Sequence, residues 1–322
     1  MSSWLVTGGA GYIGAHVVRV LAREGMRPVV LDNLASGFAK FVPEGIPFVK
    51  GDIRDTELVT NTLIDFDCVG VIHIAGFKYA GVSVQRPLKT YSNNVTGTAS
   101  VLQAMYTAGV VNFVFSSSAS VYGTPEVEIV TEDAALHPES PYGETKLIGE
   151  WLVDDLLRSR PGFRGVSLRY FNVVGSGTDE VYDASPHNLF PKVIEALLAG
   201  QTPIINGVDY PTPDGTCVRD YVHVQDLAHS HVIAAQALLD GRELLPAYNL
   251  GSGDGLSVRQ IMDAFATQTG IAFTPEVAPR RPGDPARIVA DGTAAARDLD
   301  WQMRHTVDQM VASAWSARQA AA

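Results

Sequence analysis

Trp4-Leu5-Val6-Thr7-Gly8-Gly9-Ala10-Gly11-Tyr12-Ile13-Gly14 is the stretch that decides the fold of this chain. An apolar strand runs straight into glycines at 8, 11 and 14. A helical apolar pattern then continues through Val17, Val18, Val20 and Leu21. Strand, glycine loop and helix in that order open a doubly wound sheet that binds a dinucleotide. Gly8 permits the tight turn, Gly11 lets the backbone approach a pyrophosphate, and Gly14 lets the helix pack close to the sheet. The diphosphate would sit on the helix N-terminus, where free N–H groups and the dipole favour negative charge. An ordinary strand-to-helix turn is the competing reading of the same glycines.

The following strands support the first reading. Pro28-Val29-Val30-Leu31 ends in Asp32-Asn33. An acid there can accept both ribose hydroxyls and repels a 2′-phosphate, which favours NAD over NADP. Phe48-Val49 leads to Gly51-Asp52-Ile53. Asp52 either accepts from an adenine amino group, with Ile53 on the ring, or caps a helix from Asp55 to Leu63. Val69 to Ile74 opens into Ala75-Gly76-Phe77-Lys78, and ligands gather at such carboxyl ends. Lys78 is thereby placed near phosphates. Asn93-Asn94 opens a long helix through Leu102 to Tyr106, and Asn94 bonds either backbone or cofactor.

Val111 to Phe115 delivers the run Ser116-Ser117-Ser118. Further on, Ser140-Pro141-Tyr142-Gly143-Glu144-Thr145-Lys146 reads as a helix start, with Ser140 as cap and Pro141 in the first turn. Tyr142 and Lys146 then share one face. A free phenol titrates near ~10, so bringing it to neutrality takes about 4 kcal/mol of differential stabilisation. A nearby ammonium and the positive ring of an oxidised nicotinamide both favour the phenolate. The result is a general base for a sugar or alcohol hydroxyl, with Ser118 beside it to share the proton. The competing readings are a surface helix that carries Tyr142 and Lys146 by chance and a serine run that is only a polar loop.

The whole chain sets bounds on partners. It has 322 residues, a length that suits about two domains. The net charge of −11 argues against nucleic acid or an anionic membrane as partner. Apolar residues make up 46% and charged residues 18%, as in a compact soluble protein. Cys68 and Cys217 follow no metal spacing and suggest no disulfide framework, so core thiols and no metal are expected. No targeting or membrane-spanning pattern is visible, so the expected setting is cytoplasmic. Strict strand–helix alternation fades after a sixth strand, Gly165 to Leu168.

With these pieces in place, the chain resembles the extended short-chain dehydrogenase/reductase family and, within it, the UDP-glucose (UDP-galactose) 4-epimerases. The likeness rests on Ala75-Gly76-Phe77-Lys78, Tyr91-Ser92-Asn93-Asn94-Val95, the serine run and Ser140-Pro141-Tyr142-Gly143. It continues in Arg169-Tyr170-Phe171-Asn172, Asn188-Leu189, Asp209-Tyr210-Pro211-Thr212, the segment Val218 to Val224, and Arg280-Arg281. The Tyr–Lys pair identifies only the superfamily, whereas Lys78 and the segment from Asp209 to Val224 are far more specific.

The resemblance implies a seven-stranded parallel sheet with a smaller α/β substrate domain. Residues 1–171 plus about 223–250 would hold NAD, and about 172–222 plus 251–322 would hold the UDP-sugar. It implies NAD on Gly8, Gly11, Tyr12, Ile13, Gly14, Asp32, Asn33, Asp52, Ile53, Ile74, Ala75, Gly76, Lys78, Asn94, Ser116, Tyr142, Lys146 and Phe171. UDP-galactose and UDP-glucose would meet Lys78, Ser118, Tyr142, Asn172, Asn188, Leu189, Arg219, Tyr221, Arg281, Asp284 and Ile288. Catalysis falls to Tyr142, Lys146 and Ser118, in a homodimer paired through the helices after Asn94 and Pro141. For Arg219 and Arg281 a salt bridge to Asp220 or Asp284 is the alternative reading.

Three departures from relatives stand out. The loop between Asn172 and Asn188 is short. Asn206 falls where an aromatic often lies near the uracil. Ile288 falls at the position that gates sugar size, which favours the plain hexoses over their N-acetyl forms. A 4,6-dehydratase would need an Asp-Glu pair where Ala119 and Ser120 stand.

Overall fold

The structure is a computed structural model, and it describes residues 1–281 and 285–321. Seven strands form the central sheet: β1 (Ser3–Thr7), β2 (Arg27–Asp32), β3 (Phe48–Lys50), β4 (Cys68–His73), β5 (Asn112–Ser116), β6 (Arg164–Tyr170) and β7 (Ala247–Leu250). Their order is β3-β2-β1-β4-β5-β6-β7, and every pairing is parallel. Such strands are covered on both faces and therefore read as continuous Val/Ile/Leu runs. The strand order reverses between β1 and β4, which opens the crevice where ligands bind.

Alternate residues of each strand feed two cores. On one face Trp4, Val6, Val30 and Ile72 pack against α1 (Tyr12–Arg23) and α6 (Val224–Leu239). On the other, Leu5, Val29, Leu31, Val71 and Phe113 pack against α2 (Thr56–Asp65), α3 (Gly97–Ala108) and α4 (Pro141–Ser159).

The second layer is built from short pairings. Asn172–Val174 runs beside Tyr221–His223, and Ile204–Asn206 beside Glu276–Ala278. A four-stranded sheet joins Leu256–Ser257, Val218–Arg219, Arg287–Ala290 and Ile129–Val130. Helices α5 (Leu189–Leu198), α7 (Val258–Thr269) and α8 (Val307–Ala320) close around Phe190, Ile194, Met262, Phe265 and Met310. The two layers exchange segments. Ile129–Val130 pairs into the second, while Ala295, Leu299 and Trp301 pack into the core of the first.

Two local expectations are corrected. Asp52 does not cap α2. Asp55 does, accepting from Leu58 N at 3.0 Å, and the helix runs two residues past Leu63. Asn94 does not open a helix either. It lies in a π-helical turn, Ser92–Thr96, inside helical chain that runs from Pro87 to Ala108.

Candidate active site

A cavity of about 1190 Å³ opens at the carboxyl ends of the sheet strands, against the second layer. At its floor the glycine loop closes on itself. Gly8 has φ +73°, and a Cβ on Gly14 would lie 2.1 Å from Gly8 O. Gly11 caps α1 without any side-chain acceptor, and the first turn holds no acid. The donors there are left for a ligand anion. Beside them Asp32 accepts from Ala10 N at 3.0 Å and Leu34 N at 2.8 Å. Burial raises its pKa, and these two N–H bonds pull against that. Asp32 therefore pins the loop and still lines the cavity with acceptor capacity to spare. A cradle that Cβ atoms would fill, with an acid at the end of β2, fits NAD.

Above the cradle, Ser140 Oγ accepts from Gly143 N at 3.2 Å and starts α4. Tyr142 is buried one residue past Pro141. Burial pushes its phenol up, and a hydrogen bond with Ser118 opposes the rise. Lys146, also buried, donates to Ser116 O at 2.7 Å and stands 5.8 Å from the centroid of the Tyr142 ring. Burial lowers its pKa from 10.5 to about 8, with Glu150 working the other way.

The three serines divide the work. Ser116 Oγ meets His231 Nε2 at 2.8 Å, Ser117 Oγ donates to Glu150, and Ser118 faces the cavity. Glu150 in turn pairs with Arg169 at 2.7 Å in a buried bridge.

Most expected site residues line this one cavity: Gly8, Gly11, Tyr12, Ile13, Gly14, Asp32, Asn33, Ile53, Ile74, Ala75, Gly76 and Lys78 from the cofactor side, with Phe171. From the substrate side come Asn172, Asn188, Leu189, Arg219, Tyr221, Arg281 and Ile288, and Asn206 joins them. Asp220 is no salt-bridge partner for Arg219 in this arrangement. Its carboxylate is taken by Ser252, Gly253 and Ala290 N–H groups.

Three expected residues lie elsewhere. Ser116 is fully buried behind the cavity wall, on His231. Asp52 turns to Arg54, two of whose guanidinium nitrogens lie 2.9 Å from its oxygens, and that pairing holds its carboxyl well below the usual range. Asn94 spends its amide on Phe77 N at 2.6 Å, Phe77 O at 3.0 Å and Thr145 Oγ1 at 2.9 Å. It thus ties the loop after β4 to the Tyr142 helix. Asp284 lies outside the described residues. Tyr79, Asp183 and His187 also line the cavity and were missed: Tyr79 follows Lys78 after β4, where its ring meets His187, and the folding of the loop after Asn172 brings Asp183 and His187 there.

Comparison with known proteins agrees with this geometry. The model of the NAD-dependent epimerase/dehydratase family matches residues 4–251. A UDP-glucose 4-epimerase of Lactobacillus helveticus is 42% identical over 316 residues, covering 97% of this chain and 95% of the relative. Among solved structures, a UDP-glucose-4-epimerase from Stenotrophomonas maltophila with bound NAD and formylated UDP-arabinopyranose superimposes with TM-score 0.96. It is 37% identical, over 100% of this chain and 99% of that one. The UDP-Glc/GlcNAc 4-epimerase from Campylobacter jejuni gives TM-score 0.86 at 33% identity, over 99% and 100% of the two chains.

Proposed function

The chain belongs to the NAD-dependent epimerase/dehydratase family, and we propose that it interconverts UDP-galactose and UDP-glucose by transient oxidation at the sugar C4. One observation carries the proposal. Tyr142 and Ser118 stand together in a single cavity that also holds the glycine cradle, Asp32 and the cations Lys78, Arg219 and Arg281.

Bound NAD supplies the electron pair's acceptor and donor for C4, and a positive ring that favours the phenolate. The protein's own residues do the rest. Tyr142 takes the proton of the sugar 4-hydroxyl and later returns it, while Ser118 hydrogen-bonds the same oxygen. Lys146 holds positive charge against the face of the phenol ring. Gly8, Gly11 and Gly14 admit the cofactor diphosphate, and Asp32 accepts from its ribose. Arg219 and Arg281 grip the UDP diphosphate with planar guanidinium groups. Binding energy placed on UDP leaves the sugar free to present either face.

Residues 1–171 with about 223–250 form the NAD-binding unit, and the remainder forms the UDP-sugar unit. Ile288, with 9% of its surface exposed at the cavity wall, admits the plain hexoses first and their N-acetyl forms more slowly. The protein works in the cytoplasm as a homodimer, pairing α3 and α4 through Tyr106 and Trp151, which are 62% and 55% exposed. Among the described residues no helix is long and apolar enough to cross a membrane.

The test is direct: purified protein is given UDP-galactose without free NAD, and UDP-glucose is assayed. Turnover is expected. A strict need for added cofactor, or accumulation of a keto sugar, would point to a reductase or a dehydratase instead.

A further inference from the structure

Residues 176–185 form a fixed strap across the glycine-loop helix. Val181 is fully buried among Tyr12, Ala15 and Phe41. Ser176 Oγ donates to Val181 O at 2.6 Å, and Arg19 pairs with Glu180 at 2.6 Å. Tyr12 reaches the start of the strap, donating to Gly175 O at 2.6 Å. Ser185, at the far end, is 2% exposed. The strap presents Tyr182 and Asp183 to the cavity, and of the two Asp183 brings the carboxyl group.

The side chain of Asp183 is 9% exposed and lines the cavity. One oxygen accepts from Ser185 N at 3.1 Å and faces Lys78 Nζ at 3.9 Å. The other accepts from Asn188 Nδ2 at 2.7 Å. Lys78 follows β4 of the central sheet, and Asn188 caps α5 of the second layer. One carboxylate thus joins two residues that come from opposite walls.

A carboxylate beside a diphosphate site has two opposed effects. Its charge repels the ligand. It also holds a flexible ammonium and an amide in place, and that removes ordering cost when the ligand binds. The shielded position, the Lys78 pairing and the short Asn188 bond favour the second effect.

We propose that Asp183 is a positioning residue that sets Lys78 and Asn188 for the UDP-sugar diphosphate, linking the two walls of the cavity. This rests on the UDP-sugar reading above.

The test compares NAD-loaded wild type with Asp183→Ala and Asp183→Asn. Calorimetry with UDP is run beside kcat and KM for UDP-galactose, and melting temperatures are recorded. Asp183→Ala is expected to weaken UDP about tenfold, as losing a hydrogen bond to a charged group does. KM should rise with it while kcat falls less than about threefold. Asp183→Asn keeps one accepting oxygen for these three donors and loses the charge, so it should fall between wild type and Asp183→Ala. Equal or tighter UDP binding in either variant overturns the proposal, because the carboxylate would then act only as a repulsive charge or as packing. A kcat loss that tracks melting temperature with UDP affinity unchanged overturns it too. If wild type binds UDP but leaves UDP-galactose unchanged, the proposed activity fails while the UDP comparison still decides the role of Asp183. If wild type does not bind UDP, both fall.

Discussion

Lys146 Nζ is bonded to Ser116 O at 2.7 Å and meets the face of the Tyr142 ring, 5.8 Å from its centroid. The lysine is thus held by the end of β5, and within the protein burial dominates both groups. It raises the phenol and lowers the ammonium to about 8. The Ser118 hydrogen bond opposes the rise of the phenol, and the ammonium stands over the same ring.

A lysine held at about 8 loses its proton above that pH. Activity measured as kcat/KM should therefore fall above about pH 8. The residual activity of Lys146→Arg, whose guanidinium stays charged, should lack that limb. A limb that persists unchanged in the arginine variant would assign it to another group.

The same displacement makes Lys146 a stability cost. Its folded pKa of about 8 lies below 10.5, so the unfolded chain binds more protons between those values. The Lys146 contribution to stability should rise with pH through that window, read as the difference between wild type and Lys146→Met, and at neutral pH the charged lysine costs about 3 kcal/mol. Lys146→Met should lose at least about 100-fold in activity and melt no lower than wild type. Thermal melts at pH 7 and pH 10 check both signs.

Gly14→Ala should strip the cofactor. Its Cβ would be 2.1 Å from Gly8 O, backbone that cannot move without opening the glycine turn. A loss of about 1–3 kcal/mol is expected from the overpacking alone. Nicotinamide released on denaturing the purified protein should fall to trace levels.

Glu150→Ala should cost about 3–5 kcal/mol in urea unfolding, because it leaves Arg169 charged and buried. It also releases Ser117 behind the reactive serine, so activity should fall in the folded fraction.

Ile288→Ala should raise turnover of UDP-N-acetylgalactosamine relative to UDP-galactose about tenfold, and Ile288→Tyr should lower it. Parallel rates on both sugars for the three proteins are the readout. An unchanged ratio would remove Ile288 as the gate.

The central sheet was legible because four of its seven strands end in their own chemical signature: glycines after β1, Asp32 on β2, Lys78 after β4, serines after β5. Local patterns settled those positions. The cap of α2 was harder, since Asp52 and Asp55 both suit it; in the fold Asp52 turns to Arg54 and Asp55, next to the first helical residue, accepts from Leu58 N. Ser116 and Ser118 cannot be told apart by residue type. His231, 115 residues further on, claims one of them. Asp183 carries no motif at all. Its place depends on Val181 packing beneath α1, a tertiary contact that no local pattern reports.

The most direct measurement follows the atom that moves. UDP-galactose carrying deuterium at C4 is incubated with the purified protein and an excess of unlabelled free NADH, and the UDP-glucose formed is read by mass spectrometry and NMR. The account predicts deuterium retained at C4 of the product, because Tyr142 handles only the hydroxyl proton and the carbon-bound label stays with captive NAD. Deuterium lost to solvent or found on free nicotinamide would contradict it.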